Sequence, residues 1–304
     1  MANSILKDLP KAKGEISAGH PLANLTRFKV GGAAEAFFSP RDTDDLVRFL
    51  RHAPKDMNVH ALGFGSNVLV RDGGVKGIVV RLQSEHFSRI EVRPDQREIR
   101  CGAFASNLAI AKAAMESGIA GFEFLYGIPG SIGGGVPTNA GCFGGQLSDI
   151  LVEIETADKR TGETKTLSAE ECGLGYRESN VPESEIITSV LLRGQAGDKE
   201  KIRARMDKIK EKKDSTQPTF AKTAGSVFKN PEGRPAWKLI NDAGCQDMRV
   251  GGASVSPMHA NFIVNDGGAT AADIEDLAEK IRSTVYKEFG VMLEYEIKII
   301  GSRK

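Results

Sequence analysis

Apolar residues recur at helical spacing in some stretches of the chain and alternate with polar residues in others. The helical pattern predicts helices over 43–53 (cap Thr43), 106–117 (cap Ser106), 235–243 and 271–289 (cap Thr270, with Asp273 completing a capping box). Strands are predicted within 57–82 and over 88–93, 97–101, 150–157, 164–168, 185–194, 248–256 and 261–265. Since no sustained βαβ alternation is present, the pattern predicts an α+β protein rather than a barrel of parallel strands.

The last segment, residues 291–301, alternates apolar and charged positions like a half-buried strand. Glu294, Glu296 and Lys298 share one predicted face, and the apolar side chains share the other. Two carboxylates at this spacing lie about 7 Å apart. They either share a pocket or belong to an exposed charged face, and the pattern alone favours neither.

Residues 197–215 are strongly charged, with Ile202, Met206 and Ile209 on one helical face. We interpret the charges as a solvated helix face rather than a nucleic-acid patch. The change in composition near residue 197 predicts a domain boundary.

Glycine is concentrated in two segments. The longer one, residues 121–145, has nine glycines among twenty-five residues, together with apolar anchors that a flexible linker would lack. Dense glycine allows the backbone to approach a ligand closely and to adopt positive φ. Successive bare N–H groups also form anion-binding concavities. We therefore predict a loop that holds a pyrophosphate.

The second glycine segment runs through Gly63-Phe64-Gly65-Ser66-Asn67 and is followed by β-branched residues. The dinucleotide fingerprint of Rossmann folds needs a helix directly after its glycines, so this segment does not match it. Strand, glycine loop and strand instead predict a phosphate held mainly by loop amides.

Composition excludes several classes of protein. The 304 residues carry a net charge of +1, so the chain lacks the excess of positive charge that is typical of nucleic-acid-binding proteins. No apolar run reaches the roughly 20 residues of a membrane span, and residues 1–17 lack the apolar core of a signal peptide. The four cysteines, at 101, 142, 172 and 245, show no metal-binding spacing, so we predict reduced apolar side chains and no metal site. We expect a cytoplasmic monomer that acts on small molecules, with no nucleic-acid or membrane partner.

Two polar segments could carry chemistry. Arg177, before a proline turn, could hold a carboxylate through two parallel hydrogen bonds, although spacing alone favours a surface ion pair. Ser226 follows Ala224-Gly225, and alternation would point Ser226, Phe228 and Asn230 the same way. The Ser226 hydroxyl could donate a proton in a pocket without water, although a serine in a turn more commonly hydrogen-bonds its own backbone.

Taken together and in order, these residues resemble the UDP-N-acetylenolpyruvoylglucosamine reductase family. The resemblance spans roughly residues 20 to 301 and is carried by NLTRFKVGG (24–32), GFGSNVLV (63–70), GIPGSIGG (127–134), NAG (139–141), YRES (176–179), AGSVFKNP (224–231) and LEYEIKIIG (293–301). Each motif alone is weak, but the combination is highly specific.

The resemblance implies non-covalent FAD on the two-subdomain module of vanillyl-alcohol-oxidase-type flavoproteins, plus an α+β substrate-binding domain. Residues 1–82 and 83–197 would be the two subdomains, 198–292 the substrate-binding domain, and the strand 293–304 could return to the first. NADPH, as co-substrate, would reduce the flavin. The enolpyruvyl ether of UDP-N-acetylglucosamine would then be reduced to UDP-N-acetylmuramate, a peptidoglycan precursor used in cell-wall growth, cell shape and division.

The resemblance also assigns roles to individual residues. The proton donor would be Ser226, with Arg177 and Glu296 on the substrate carboxylate. Substrate-binding residues would be Tyr176, Asn230 and His259. The cofactor-binding residues would be Gly63, Gly65, Ser66, Asn67, Gly127, Ile128, Pro129, Gly130, Ser131, Gly133, Gly134, Asn139, Ala140 and Gly141.

The chain departs from the family pattern at two places. Many relatives have proline where this chain has Tyr295, which alternation points away from Glu296, so we expect little effect. The chain is also short between Tyr176 and Pro218, as in the subtype that lacks a tyrosine-bearing loop over the diphosphate. How the nucleotide sugar is clamped is therefore open.

Two other functions remain possible from the sequence. A sugar or lactone oxidase could use the same FAD-binding module, but many such oxidases attach the flavin to a histidine near the long glycine loop. No histidine lies between His86 and His259. A nucleotide-binding module without catalysis is the second alternative, and it predicts a colourless protein or a flavin that NADPH cannot bleach.

Overall fold

The computed structural model describes residues 5–304, so the prediction for the amino-terminal segment 1–17 lies partly outside the described residues. The chain forms two compact units, each assembled from separate stretches. Unit 1 contains residues 5–18, Ala36–Phe64 and Gly77–Lys212, and unit 2 contains Gly19–Glu35, Gly65–Lys76 and Lys213–Lys304. None of the helices within residues 5–304 combines the length and the apolar character that crossing a membrane requires.

The first half of the chain contains short helices and ten strands among the described residues. The helices are α1 (Ile5–Asp8), α2 (Thr43–His52), α3 (Glu85–Ser88), α4 (Asn107–Glu116) and α5 (Ile132–Gly135). The strands are β1 (Glu15–Pro21), β2 (Ala33–Ser39), β3 (Val59–Ala61), β4 (Val68–Val70), β5 (Val75–Val80), β6 (Ile90–Arg93), β7 (Glu98–Gly102), β8 (Ile119–Ala120), β9 (Gly141–Cys142) and β10 (Gly145–Gln146).

The second half carries the two long helices. Its helices are α6 (Ala169–Cys172), α7 (Lys199–Thr216), α8 (Ala236–Asp242) and α9 (Ala271–Phe289). Its strands are β11 (Leu151–Asp158), β12 (Thr164–Ser168), β13 (Glu185–Arg193), β14 (Gln195–Ala196), β15 (Arg249–Val250), β16 (Ala253–Val255), β17 (Ile263–Asn265) and β18 (Lys298–Ile300). The predicted α+β content is confirmed.

The largest sheet lies in unit 1 and has the order β12-β11-β13-β7-β6, with the pairs β11–β12, β11–β13, β13–β7 and β6–β7 all antiparallel. Ile99, Ile154 and Val190 from its strands are fully buried, together with Ile110 of α4. A second sheet has the order β1-β2-β5-β3, in which β3 and β5 are parallel. The sheet core of unit 1 therefore adjoins α4, the helix that leads into the long glycine segment.

Unit 2 is built around α9. The predicted apolar stripe of this helix is confirmed, because Ile274, Leu277, Ala278, Ile281 and Val285 are all fully buried. The predicted capping box is also present, with Thr270 accepting from the Asp273 N–H and Asp273 accepting from the Thr270 N–H. Unit 2 contains the sheet β15-β16-β17 and the parallel pair β18–β4.

Two local predictions are wrong in detail. The cap of α2 is Asp42 rather than Thr43, because the Asp42 carboxylate accepts the Asp45 N–H at 2.8 Å. The predicted strand 291–301 keeps its alternation of burial but is a regular strand only over β18, where it pairs with β4. The charged helix α7 buries Ile202 and Met206 and exposes most of its charges, as predicted.

The cysteines are free, and three of them, Cys101, Cys172 and Cys245, are buried apolar side chains as predicted. Burial raises the pKa of the Cys101 thiol to about 12 and that of Cys172 to about 11. Thiols with such pKa values are poor nucleophiles at neutral pH.

Asp45 is a buried carboxylate that holds the amino-terminal segment of unit 1. It accepts hydrogen bonds from the backbone N–H groups of Lys13, Gly14 and Arg41 at 2.7, 2.7 and 3.1 Å, and from the Arg48 guanidinium at 3.0 Å. Burial by itself would raise the pKa of Asp45, but these donors outweigh it and hold the pKa below its ordinary value.

We expect Asp45→Asn to lower the free energy of unfolding by about 1–3 kcal/mol at neutral pH, because an amide cannot accept all of these donors. A depressed native pKa stabilises the fold above the unfolded-state pKa, and that stabilisation is lost as the pH falls through the native pKa. Urea unfolding between neutral pH and the lowest pH at which both proteins fold should therefore show the difference shrinking. The exposed Asp44→Asn is the matched control, and a pH-independent difference would contradict this account.

Candidate functional site

Unit 1 brings the two glycine segments together at Gly63 and Ser131. A Cβ added to Gly63 would lie 2.6 Å from the Ser131 hydroxyl oxygen, and one added to Gly134 would lie 3.3 Å from the same atom. Ser131 is buried and is the residue before α5. A side chain at position 63 would force the Ser131 hydroxyl to move. The two loops therefore form one glycine-lined structure, which fits a group that must contact backbone.

The longer glycine segment is less irregular than predicted. It contains 3₁₀ turns at Glu123–Gly127 and Val136–Thr138, with α5 between them. Asn107, at the start of α4, anchors the segment. Its backbone N–H donates to the Gly130 carbonyl at 3.1 Å, and its Nδ2 donates to the Ile128 carbonyl at 3.3 Å.

Some of the other predicted cofactor-binding residues in this segment are tightly packed, and others are exposed. A Cβ at Gly133 would lie 2.6 Å from the Ala103 Cβ, and one at Gly127 would lie 2.8 Å from the Cys142 sulfur. Pro129 and Gly134 are exposed, whereas Ala140 and Gly141 are half-buried. The segment thus has a packed side and an accessible side.

Sequence reasoning missed Arg81, which adjoins the first glycine loop. Its Nε donates to the Gly63 carbonyl at 3.2 Å, and its guanidinium lies 5.1 Å from the centre of the Phe104 ring. Phe104 in turn contacts Phe64 edge-on at 4.7 Å. Burial lowers the pKa of Arg81, which nevertheless stays charged at neutral pH. The sequence offered one signal for this residue, an arginine directly after the apolar strand β5.

Arg177 stands on a two-residue turn of unit 1 that also contains Tyr176. Gly175 and Glu178 pair at the base of this turn. Arg177 Nη2 donates to the Gly141 carbonyl at 2.9 Å, and its guanidinium lies 5.6 Å from the centre of the exposed Tyr176 ring. The turn and the Asn-Ala-Gly segment at 139–141 are therefore neighbours, although they are separated along the chain.

Unit 2 brings Asn67 and Glu296 together. Asn67 Nδ2 donates to the Glu296 backbone carbonyl at 3.0 Å, and the Asn67 carbonyl accepts the Lys298 N–H at 2.9 Å. Gly65 precedes it with φ +63, where a Cβ would lie 2.3 Å from the Leu25 carbonyl oxygen. The half-buried Ser66 lies between them. A loop predicted to bind cofactor thus fixes the backbone segment that carries Glu296.

Glu296 also lies beside the Ser226 segment. Its N–H donates to the Val227 carbonyl at 2.8 Å, and the same carbonyl accepts the Ile297 N–H at 3.4 Å. This double acceptance marks an irregular pairing, and such irregularities re-aim side chains at functional sites. Val227 and Phe228 are both buried, so this segment is covered on both sides.

The backbone directly before Ser226 is open to its surroundings. The preceding Gly225 has φ +86, and a Cβ added to it would meet no atom within 4 Å. Ser226 itself is half-buried and pairs with Phe262 through an isolated bridge. Further along, the exposed Asn230 accepts the Ala236 N–H at 2.9 Å, so it supports the start of α8.

His259 is part of an aromatic group in unit 2. Its ring lies 4.7 Å from the Phe262 ring and 6.5 Å from the Trp237 ring, measured between centroids. Burial lowers the pKa of His259, which therefore carries a neutral imidazole at neutral pH.

Tyr295 contributes to packing in unit 2. Its hydroxyl donates to Glu279 at 2.8 Å, its ring lies 5.5 Å from that of Phe228, and the Arg282 guanidinium is 5.0 Å from its centroid. Burial and the neighbouring Glu279 carboxylate raise the pKa of Tyr295. Tyr295 therefore ties the segment that carries Glu296 to α9, a role that its place between two glutamates did not reveal.

Arg177 belongs to unit 1, and Ser226 and Glu296 belong to unit 2. Within each unit the structure places predicted residues side by side: Gly63 with Ser131, Asn139 and Gly141 with Arg177, and Asn67 and the Ser226 segment with Glu296. Across residues 5–304 no three His, Cys, Asp or Glu side chains are grouped as metal ligands would be.

Comparison with known proteins places these features in a family. Residues 34–168 match a model described as an FAD binding domain. Residues 217–300 match one described as the C-terminal domain of UDP-N-acetylenolpyruvoylglucosamine reductase. Both kinds of domain expected from the sequence, flavin-binding and carboxyl-terminal, are therefore present.

Curated relatives and a solved structure extend over almost the whole chain. A UDP-N-acetylenolpyruvoylglucosamine reductase of Parvibaculum lavamentivorans is 46% identical over 99% of this chain and 96% of its own length. One of Paramagnetospirillum magneticum is 47% identical over 97% and 95%. The crystal structure of the reductase of Thermus caldophilus is 33% identical, with a TM-score of 0.81, and covers 96% of this chain and 100% of that chain.

Proposed function

Because the chain belongs to the UDP-N-acetylenolpyruvoylglucosamine reductase family, we propose that it reduces the enolpyruvyl ether of UDP-N-acetylglucosamine to UDP-N-acetylmuramate. The protein is a flavin-dependent oxidoreductase, and we infer that NADPH is its reductant. The proposal rests on one observation: the chain is 46% and 47% identical in sequence to two curated reductases over almost their full length. The product would enter peptidoglycan synthesis, and with it cell-wall growth, shape and division.

The residues of unit 1 fit an FAD cofactor. The glycine-lined structure at Gly63 and Ser131 lets backbone approach a pyrophosphate without side chains in the way. We propose that the backbone of Gly127–Gly134 and 139–141 contacts the cofactor, together with Gly65, Ser66 and Asn67 of the other loop. When bound, FAD supplies the hydride for the substrate. Apart from Tyr176 and Arg177, residues up to about 197 would serve the flavin, and residues 198–292 would serve the substrate.

The substrate carboxylate needs a cation because of the charge that develops beside it. Hydride addition to the methylene carbon leaves negative charge on the carbon that bears the carboxylate, and this charge spreads into the carboxylate. A fixed cation stabilises it most at that moment. Arg177 is already oriented by the Gly141 carbonyl, and we assign it this role. Glu296, in its protonated form, would donate a hydrogen bond to the same group.

Ser226 would then deliver the proton. A serine hydroxyl is a weak acid, so its partner must be strongly basic, as an enolate carbon is. The open space at Gly225 would let this carbon approach the hydroxyl. We propose that Tyr176, Asn230 and the neutral His259 contact the nucleotide sugar, and that the enzyme acts in the cytoplasm as a monomer.

An anaerobic titration tests the function. Purified yellow protein should bleach with NADPH and regain its colour when the enolpyruvyl nucleotide sugar is added without oxygen. Acid precipitation should release the flavin into the supernatant. Flavin that stays with the pellet, or that only oxygen reoxidises, would indicate an oxidase and contradict the proposal.

A further inference from the structure

Arg177 has a backbone conformation that is rare for a residue with a side chain. Its φ is +56, in the left-handed region, and it stands at the tip of the turn whose base is the pair Gly175–Glu178. The Gly175 N–H donates to the Glu178 carbonyl at 3.1 Å. Conformations of this kind persist where neighbouring groups hold them, and they cluster at functional sites.

Asn139 is also left-handed, with φ +39, and its side chain is buried. Its Oδ1 accepts the Ser148 N–H at 2.9 Å, which fixes the orientation of the amide. Its Nδ2 donates to the Gly175 carbonyl at 2.9 Å, with a longer contact of 3.3 Å to Gln146 Oε1. The side chain therefore holds the base of the Arg177 turn.

The contact runs in both directions. Arg177 Nη1 donates to the Asn139 carbonyl at 3.4 Å, and Nη2 donates to the Gly141 carbonyl at 2.9 Å. The Asn139 side chain thus holds the base of the turn that carries Arg177, while the Arg177 side chain donates to the Asn139 backbone. We call these contacts together the Asn139–Arg177 latch. Since Asn139 Oδ1 and Nδ2 are both engaged within the protein, the side chain acts on the turn rather than on a ligand.

We propose that Asn139 is a positioning residue for Arg177: its buried amide fixes the turn so that the guanidinium meets the substrate carboxylate. This role rests on the proposed function, and it differs from the cofactor contact that the sequence suggested for Asn139.

Two substitutions separate these roles. Asn139→Gly keeps the positive φ and removes the amide, whereas Asn139→Asp keeps the acceptor for Ser148 and loses the donor to Gly175. Both should retain FAD and bleach normally with NADPH, while reoxidation by the nucleotide sugar slows roughly tenfold. In an Arg177→Lys background the same changes should add little, because residues that act through one another are not additive. Ser148→Ala, which keeps the Ser148 N–H and removes only the 3.4 Å contact of Asn139 Nδ2 to the exposed Ser148 hydroxyl, is the control.

A readout independent of catalysis is tryptic cleavage of the holoenzyme after Arg177, followed by mass spectrometry. Releasing the latch should speed cleavage at this bond roughly fivefold to tenfold, with little change at other sites. Loss of FAD, equal slowing of both half-reactions, full additivity with Arg177→Lys or unchanged cleavage would each overturn the proposal. If the wild type is not reoxidised by the nucleotide sugar, the proposed function fails, and cleavage still decides the latch.

Discussion

Replacing Ser226 with alanine is expected to leave flavin bleaching by NADPH intact and to slow reoxidation by the nucleotide sugar by a factor of about 10²–10⁴, the usual range for a lost proton donor. Only the second half-reaction needs a proton on carbon, so the two half-reactions should separate. The expectation is specific because Ser226 belongs to the segment that hydrogen-bonds the Glu296 strand, beside the open space at Gly225.

Stopped-flow absorbance of the flavin measures both half-reactions in one preparation. The matched control is Ser283→Ala, an exposed hydroxyl on α9 of the same unit, which should leave both rates within about twofold, as surface substitutions usually do. Equal slowing of both half-reactions in Ser226→Ala would show that the hydroxyl is structural and that the proton comes from another group.

Arg177→Lys is expected to slow reoxidation by the nucleotide sugar by about 10²–10³, the cost usually seen when one stabilising group is lost from a developing anion. The guanidinium donates to the carbonyls of Asn139 and Gly141, and its planar set of N–H donors matches the geometry of a carboxylate. A lysine carries a point charge and lacks the planar fork. The lysine ammonium would either lose its hydrogen bonds to the two carbonyls or bind the substrate carboxylate less tightly.

The readout for Arg177→Lys is again the ratio of the two half-reactions, together with the KM for the nucleotide sugar. Arg93→Lys is the control, since Arg93 forms an exposed ion pair with Glu91 at 2.8 Å in the same unit. Its effect should be within about twofold, because exposed ion pairs contribute little. Near-normal reoxidation in Arg177→Lys would reject the assigned role.

Local patterns in the sequence were sufficient for most elements. The α9 helix was predicted with its capping box and buried stripe, because both signals lie within a few residues of each other. Patterns could not reveal the division into units, since it depends on distant contacts. Asn265 donates to the Phe28 carbonyl at 2.8 Å, although the two residues are 237 positions apart in the sequence. Arg71 pairs with Glu275 at 2.8 Å over a separation of 204 positions.

The candidate site shows the same limit. Motifs identified the glycine loops and the turn at Tyr176–Arg177, since these depend on residue type and short spacing. The partners of those residues did not follow from spacing. Asn139 Nδ2 reaches the Gly175 carbonyl, 36 positions away, and Asn67 Nδ2 reaches the Glu296 carbonyl, 229 positions away. Amide side chains carry no periodic signal, so only the folded chain shows which backbone groups they hold.

The most direct measurement is a crystal structure of the FAD-bound protein with the enolpyruvyl nucleotide sugar. The account predicts that the Arg177 guanidinium and the Glu296 carboxyl contact the substrate carboxylate. It also predicts the Ser226 hydroxyl within about 3.5 Å of the carbon that bears this carboxylate, as proton delivery requires. A complex in which any of these three groups lies beyond the reach of the substrate would contradict the mechanism.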